Sequence, residues 1–260
     1  MTQGPSSAQS LRDQRMSLSP TFLTASMRPP SEMEGYALQR EVNHLLSEQL
    51  GAVAGLKIGC TTPVTQRFLG ISGPCAGEVF CSTITHEKGT VRSANHRKLG
   101  VECELVAILG ADIQPQRVPY TVQSISQYFE AVAPGIEIVD DRYLDYRTLG
   151  APTLIADNFF NAGCVLGVPF KAWRSLELPH VTAWMEINGM EVGRGTGAMV
   201  LGHPLEALAW LANLRASQGL GLKQGQFVFL GSLIETKWIS TGDLVVIGID
   251  FLGNVELRVT

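Results

Sequence analysis

Residues 101–109, VECELVAIL, alternate as a strand with one buried face does, and then the alternation breaks. Successive strand side chains point to opposite faces, so Val101, Cys103, Leu105 and Ala107 share one side and Glu102 and Glu104 the other. Beyond Glu104 that second side also turns apolar, at Val106 and Ile108. Elsewhere the period is helical. After Pro29-Pro30 and a Ser31–Glu34 capping box, Tyr36, Val42, Leu45, Leu46 and Leu50 predict a helix over 33–50. Val122, Ile125, Phe129 and Val132 share a face and predict a helix over 121–133, stopped by Pro134-Gly135. Pro204 opens and Gly219 closes a third helix, 204–218. Apolar runs predict strands at 52–60 (with Lys57 inside), 136–140 (with Glu137 inside), 163–168, 181–187, 226–230, 244–250 and 255–259. Asn188-Gly189 is a hairpin signal, and 61–98 reads as loops and short strands. Residues 1–32, rich in Ser, Pro and Gln at their start, read as a flexible or draped arm before a single domain at 33–260. Strands dominate without a βαβ rhythm, so the fold class is α+β with a mixed or mainly antiparallel sheet.

Composition narrows the function. The 260 residues are 45% apolar and 17% charged, enough for a substantial core. A net charge of −4 without a basic run argues against nucleic acid, and no apolar stretch is long enough to span a bilayer. The polar N-terminus lacks a secretion signal, and the five cysteines form no CxxC pair, which fits a reducing cytoplasm.

Two carboxylates side by side on one strand face repel, and if partly buried they must hold a proton or a cation. A hard divalent ion suits them, because Mg²⁺ and Mn²⁺ prefer carboxylate oxygens. Glu137, in GIEIVDD, is a third acid in a similar setting. An exposed edge with solvated acids is the alternative for all three.

Beyond these acids, GLKIGCTTPVTQRFLGI (55–71), VECELVAIL (101–109), GIEIVDDR (135–142), IADNFFNAG (155–163), GTGAMVLGHPLEALAWLANL (195–214), LKQGQFVFLGS (222–232) and TGDLVVIGIDFLGNVEL (241–257) occur in order. The series resembles the 2-keto-4-pentenoate hydratase group, with its 4-oxalocrotonate decarboxylase branch, of the fumarylacetoacetate hydrolase superfamily. It covers about 36–258. The resemblance implies a rolled mixed β-sheet domain with a few helices, assembled into homo-oligomers, that holds Mg²⁺ or Mn²⁺ on Glu102, Glu104 and Glu137. It places Lys57 beside the substrate. It implies a lyase acting on 2-oxo (2-hydroxydienoic) acids, a hydratase in aromatic-compound degradation. Alternatives are the decarboxylase, an acylpyruvate-type C–C hydrolase, or a non-catalytic partner of another enzyme of the same pathway. Asp157, Asn158 and Asn161, in the IADNFFNAG block, are the candidate substrate-binding residues.

One departure stands out. Where hydratases of this group carry an acid in a P-D-x-G segment, this chain has Pro74-Cys75-Ala76-Gly77. Glu78, the next residue, becomes the substitute catalytic acid alongside Lys57. The Gly-rich stretch 193–197 lacks the GxGxxG spacing of a nucleotide loop, and the five histidines show no HxxxH pair.

Overall fold

The computed structural model describes residues 5–260, the side chain of Phe68 excepted. Helix α1 (Ser7–Met16) and helix α2 (Glu32–Leu50) precede strand β1 (Val53–Gly59), helix α3 (Pro63–Leu69) and strands β2 (Cys75–Phe80), β3 (Ile84–His86), β4 (Lys88–Val91) and β5 (Leu99–Leu109). Short α4 (Val122–Ile125), β6 (Phe129–Asp140), α5 (Ala151–Ala156), β7 (Asn161–Leu166), β8 (Thr182–Ile187) and β9 (Met190–Thr196) follow. Helix α6 (Pro204–Ser217), β10 (Phe227–Ser232), β11 (Lys237–Trp238), β12 (Leu244–Ile249) and β13 (Gly253–Val259) complete the chain. The larger sheet runs β2-β1-β10-β5-β6-β7-β3 with β11 added beside β5; the smaller runs β4-β13-β12-β8-β9. Most pairs are antiparallel, with parallel exceptions at β1–β10, β3–β7 and β4–β13.

The core follows from the alternation. Val101, Cys103, Leu105 and Ala107 of β5 are fully buried, in one cluster with Val245, Ile247, Val255 and Leu257 of the smaller sheet. The opposite face is also dry: Val106, Phe227 and Phe229 form a separate cluster with Val79. Asn188 and Gly189 both take positive φ, 54° and 77°, as a two-residue type I′ hairpin requires.

Three expectations change. Residues 121–133 hold only α4 in helical form; from Phe129 the chain is strand, and Pro134-Gly135 lie inside β6 rather than ending a helix. Pro134 is tolerated because its carbonyl accepts from Gly167, just past the end of β7, so the absent N–H falls where that ladder has stopped. The stretch 61–98 contains α3, begun by Thr62 capping the Thr65 amide and ended by Gly70 in the left-handed region. Third, residues 5–32 of the arm are packed and partly helical. Ser6 and Gln9 form a reciprocal capping box, and Ala8, Leu11 and Leu23 are buried with Val42 and Leu46 of α2. Residues 1–4 lie outside the described residues.

Candidate metal centre

Register fixes the acids. β5 and β6 pair residue for residue, with Glu102 opposite Glu137 and Glu104 opposite Gly135. Side chains directly opposed across an antiparallel pair lie about 5 Å apart at Cβ, and like charges there repel. One carboxylate oxygen from each of Glu102, Glu104 and Glu137 lies within 4.8 Å of the other two. Glu104 and Glu137 are fully buried and Glu102 half-buried.

The protein holds one side of each acid. Thr236 donates its hydroxyl to Glu102 Oε1. β10 leaves regular register between Phe229 and Ser232, and there the Gly231 amide donates to Glu104 Oε2 at 2.8 Å. Gly231 has φ 121°, and a Cβ on it would sit 2.5 Å from Thr61. Glu137 Oε1 accepts from Asn161 Nδ2 at 2.9 Å and pairs with Lys57 Nζ at 3.0 Å. Glu104 Oε1 and Glu137 Oε2 stay buried without a hydrogen-bond partner. Two orphaned carboxylate oxygens beside a third acid are what a hard cation completes, so the donor set fits a divalent metal. Three carboxylates against the one ammonium of Lys57 leave two negative charges, the charge such an ion neutralises.

Without the ion the acids are strained electrostatically. Burial, then repulsion from Glu137, raises the pKa of Glu102; burial with repulsion from Glu137 and Glu102 lifts Glu104 well above the ordinary range. Burial works against the Lys57 ammonium, but Glu137, Glu102 and Glu104 outweigh it and raise its pKa. Lys57 therefore keeps its proton at neutral pH.

Lys57 and Glu102 open onto a cavity of about 190 Å³ whose other walls include Leu69, Val139, Tyr146, Phe159, Phe160 and Trp238. Phe159 and Phe160 reach it from an unusual elbow: Asn158, Phe159 and Phe160 all have positive φ (57°, 45° and 69°) between α5 and β7. Conformations of that kind cost about 1–3 kcal/mol each and persist where surrounding structure enforces them.

The other expected site residues go elsewhere. Glu78 is registered against Leu56, and Lys57 against Gly77, so Glu78 points to the opposite face of the sheet from Lys57. There it binds Arg215 at 3.0 Å and Asn43 at 2.9 Å, outside the cavity. Asp157 is fully buried against Arg142 and Tyr143, each about 3 Å from its Oδ2. Asn158 exchanges hydrogen bonds with Asn43 and accepts from the Glu78 amide. Asp157 and Asn158 thus brace the fold, and of the three only Asn161 touches the acid cluster. Cys75 is fully buried, burial pushes its thiol far up, and it is not among the residues that line the cavity. Thr236, Gly231 and the aromatic walls escaped the sequence reading; the paired Phe159-Phe160 beside a run of small polar residues was the available signal.

Residues 79–260 match the family model described as fumarylacetoacetate (FAA) hydrolase C-terminal. The chain belongs to the fumarylacetoacetate hydrolase family. Within it, the chain is 32% identical to 2-keto-4-pentenoate hydratase of Burkholderia vietnamiensis, over 86% of this chain and 85% of that one. It is 30% identical to 2-hydroxyhexa-2,4-dienoate hydratase of Comamonas testosteroni, over 100% and 97%. Among solved structures, 4-oxalocrotonate decarboxylase from Pseudomonas putida G7, complexed with magnesium and adipate, superposes with TM-score 0.90 over 98% of this chain and 96% of that one, at 23% identity.

Proposed function

We propose that the chain is a divalent-metal-dependent lyase that adds water to 2-hydroxydienoic acids, a hydratase of the kind its curated relatives are named for, with Mg²⁺ or Mn²⁺ held by Glu102, Glu104 and Glu137. The observation that carries the reading is the pair of orphaned oxygens on Glu104 and Glu137, beside a cavity whose walls are mostly apolar. A cation bound there acts as a Lewis acid on a substrate oxygen. Lys57, kept protonated, supplies the positive charge that draws an anionic substrate toward the acids. Phe159, Phe160, Leu69 and Val139 shield a planar conjugated chain from water other than the one to be added. Thr236, Gly231 and Asn161 keep the three carboxylates from turning, so the geometry is ready before substrate arrives.

The walls favour an uncharged tail. Lys57 is the single cation among the lining residues, and its ammonium is occupied by Glu137. Among the lining residues themselves, a second carboxylate, as in the decarboxylase substrate, finds no further cation. One observation favours the decarboxylase as a second reading: Lys98 lies 4.1 Å from the ring centre of Trp238, and Trp238 lines the cavity, so a distal carboxylate near that ring meets a cation. Self-association belongs to the same proposal, with exposed Met33, Val118, Leu144 and Phe251 as apolar surface for it. So does a cytoplasmic setting, supported by five free cysteines. No helix among the described residues is long and apolar enough to cross a membrane.

The test is ultraviolet absorbance of freshly made 2-hydroxypenta-2,4-dienoate and of 2-oxo-3-hexenedioate with Mg²⁺ or Mn²⁺, followed by product analysis. Loss of the dienoate chromophore with water addition, abolished by EDTA and by Lys57→Met, is the expected result. Carbon dioxide release from the dioate would establish the second reading. Turnover that survives EDTA would remove the metal from the reaction.

A further inference from the structure

Asn161 is the residue of the 155–163 block whose side chain hydrogen-bonds to the acid cluster, and its own backbone is clamped. Its carbonyl accepts from Arg142 Nη1 at 3.1 Å and from Arg15 Nη2 at 3.0 Å. Arg142 comes from the chain just after β6 and is neutralised by Asp157. Arg15 comes from the last turn of α1, outside the stretch matched by the family model, and neither Asp157 nor Asp140, whose charges act on it, makes an ion pair with it. Two guanidinium groups converging on one carbonyl repel, and Arg15 Nη1 is buried with no hydrogen-bond partner. Both features cost stability, so burial alone does not explain the placement.

The placement falls at the end of the elbow. Residues 158–160 are all left-handed, and β7 begins at Asn161 immediately after them. The Asn161 amide donates to Asn158 O at 3.0 Å and the residue pairs with Val139 of β6, so the two guanidinium groups add a hold on its carbonyl at the point where the strained turn meets the strand. Helix α1 is itself held in place: Ala8 and Leu11 seat it against α2, and just beyond it Arg97 donates to Leu18 O at 3.0 Å and the Thr21 amide donates to Arg142 O at 2.8 Å. Further along the arm, Arg28 donates to Leu23 O and to Thr148 O, neither in α1 nor at Asn161.

We propose that Arg15, carried by the N-terminal helix, is a positioning residue for the metal centre: it fixes the Asn161 carbonyl, Asn161 fixes Glu137, and Glu137 thereby presents its free oxygen to the cation. This rests on the metal reading given above. The N-terminal segment is then a working part of the site although none of its described residues lines the cavity.

The experiment is a Mn²⁺ titration of metal-free protein, followed by calorimetry or by the electron paramagnetic resonance of free Mn²⁺, on wild type, Arg15→Met, Arg15→Lys, Asn161→Ala and the double variant Arg15→Met/Asn161→Ala. Outer-shell partners of metal ligands typically contribute about 10–100-fold in affinity. Arg15→Met, one contact further out, is expected to weaken Mn²⁺ binding about 10-fold. Arg15→Lys, which keeps a donor, recovers most of that and serves if the Met variant fails to fold. In the Asn161→Ala background the same Met substitution has little further effect, because the relay is already broken. Arg28→Met, which removes hydrogen bonds to Leu23 and Thr148 but none to α1 or Asn161, leaves the affinity unchanged. A wild-type Kd retained by folded Arg15→Met, additive losses in the double variant, or equal losses from Arg28→Met would overturn the proposal. If wild type binds no Mn²⁺ that Glu104→Gln removes, the metal reading itself fails, and the relay with it.

Discussion

Replacing Glu104 by Gln should move stability in opposite directions with and without metal. The two side chains have the same shape, and a Gln oxygen still accepts the Gly231 amide. The negative charge disappears. In the wild type that charge sits within 4.8 Å of two other carboxylates. At an effective dielectric constant of about 20, one such pair costs about 3.5 kcal/mol. Partial proton uptake and the attraction of Lys57 reduce the sum, so the metal-free variant should gain about 2 kcal/mol. For a chain of this size that is about 4–8 °C in Tm. The loaded protein behaves otherwise. Excess Mn²⁺ at about 100 times its Kd stabilises wild type by about 2.7 kcal/mol, and loss of a charged ligand should remove most of that. Differential scanning calorimetry in EDTA and in excess MnCl₂ reads both arms. A variant less stable than wild type in EDTA, or one with an undiminished metal-induced shift, would refute the picture of three acids crowded around a missing charge.

Other expectations follow from the same contacts. The carboxyls of Glu102 and Glu104 titrate above their ordinary range in the folded metal-free protein, whereas an unfolded glutamate titrates near about 4.3. Lowering pH through the raised folded values therefore adds protons to the folded state first and stabilises it, and this gain is present only without metal. Metal must displace those protons, so Mn²⁺ affinity should fall with pH already above the usual glutamate range; titrations across a pH series in weak buffer, with proton release recorded, check both signs. Asp157→Ala should cost about 3–5 kcal/mol in denaturant unfolding, since it leaves the buried Arg142 guanidinium unpaired. Full stability with a raised KM would instead put Asp157 against substrate.

The acids and the lysine were legible because a charge inside an apolar strand is rare and strand alternation says where it points. Glu102 and Glu104 needed only period two. Glu137 needed the β5–β6 register, which the sequence does not spell out, and there the family resemblance supplied what alternation could not. Glu78 misled because proximity to Lys57 along the chain says nothing about which face of a paired strand it occupies; one residue of register separates the cavity from Arg215. The helix expected over 121–133 failed for a related reason. β6 is buried on both faces almost throughout, so its alternation vanished and the helical spacing of Phe129 and Val132 was accidental. The N-terminal arm hid its helix because only Ala8 and Leu11 face inward, too few for a periodic signal.

The cavity's two kinds of wall have different origins. Its charged residues, Lys57 and Glu102, sit within strands of the larger sheet, tied by backbone ladders to neighbours on both sides. Leu69, Tyr146, Phe159 and Phe160 come from a short helix and from connections outside the sheet, and Trp238 from a two-residue strand at its margin. Exchange of an aromatic for a smaller or polar side chain in those connections alters what fits without disturbing the ladder that sets the acids. What the cavity admits can therefore change at a few turn positions while the three-acid cluster stays where the sheet puts it.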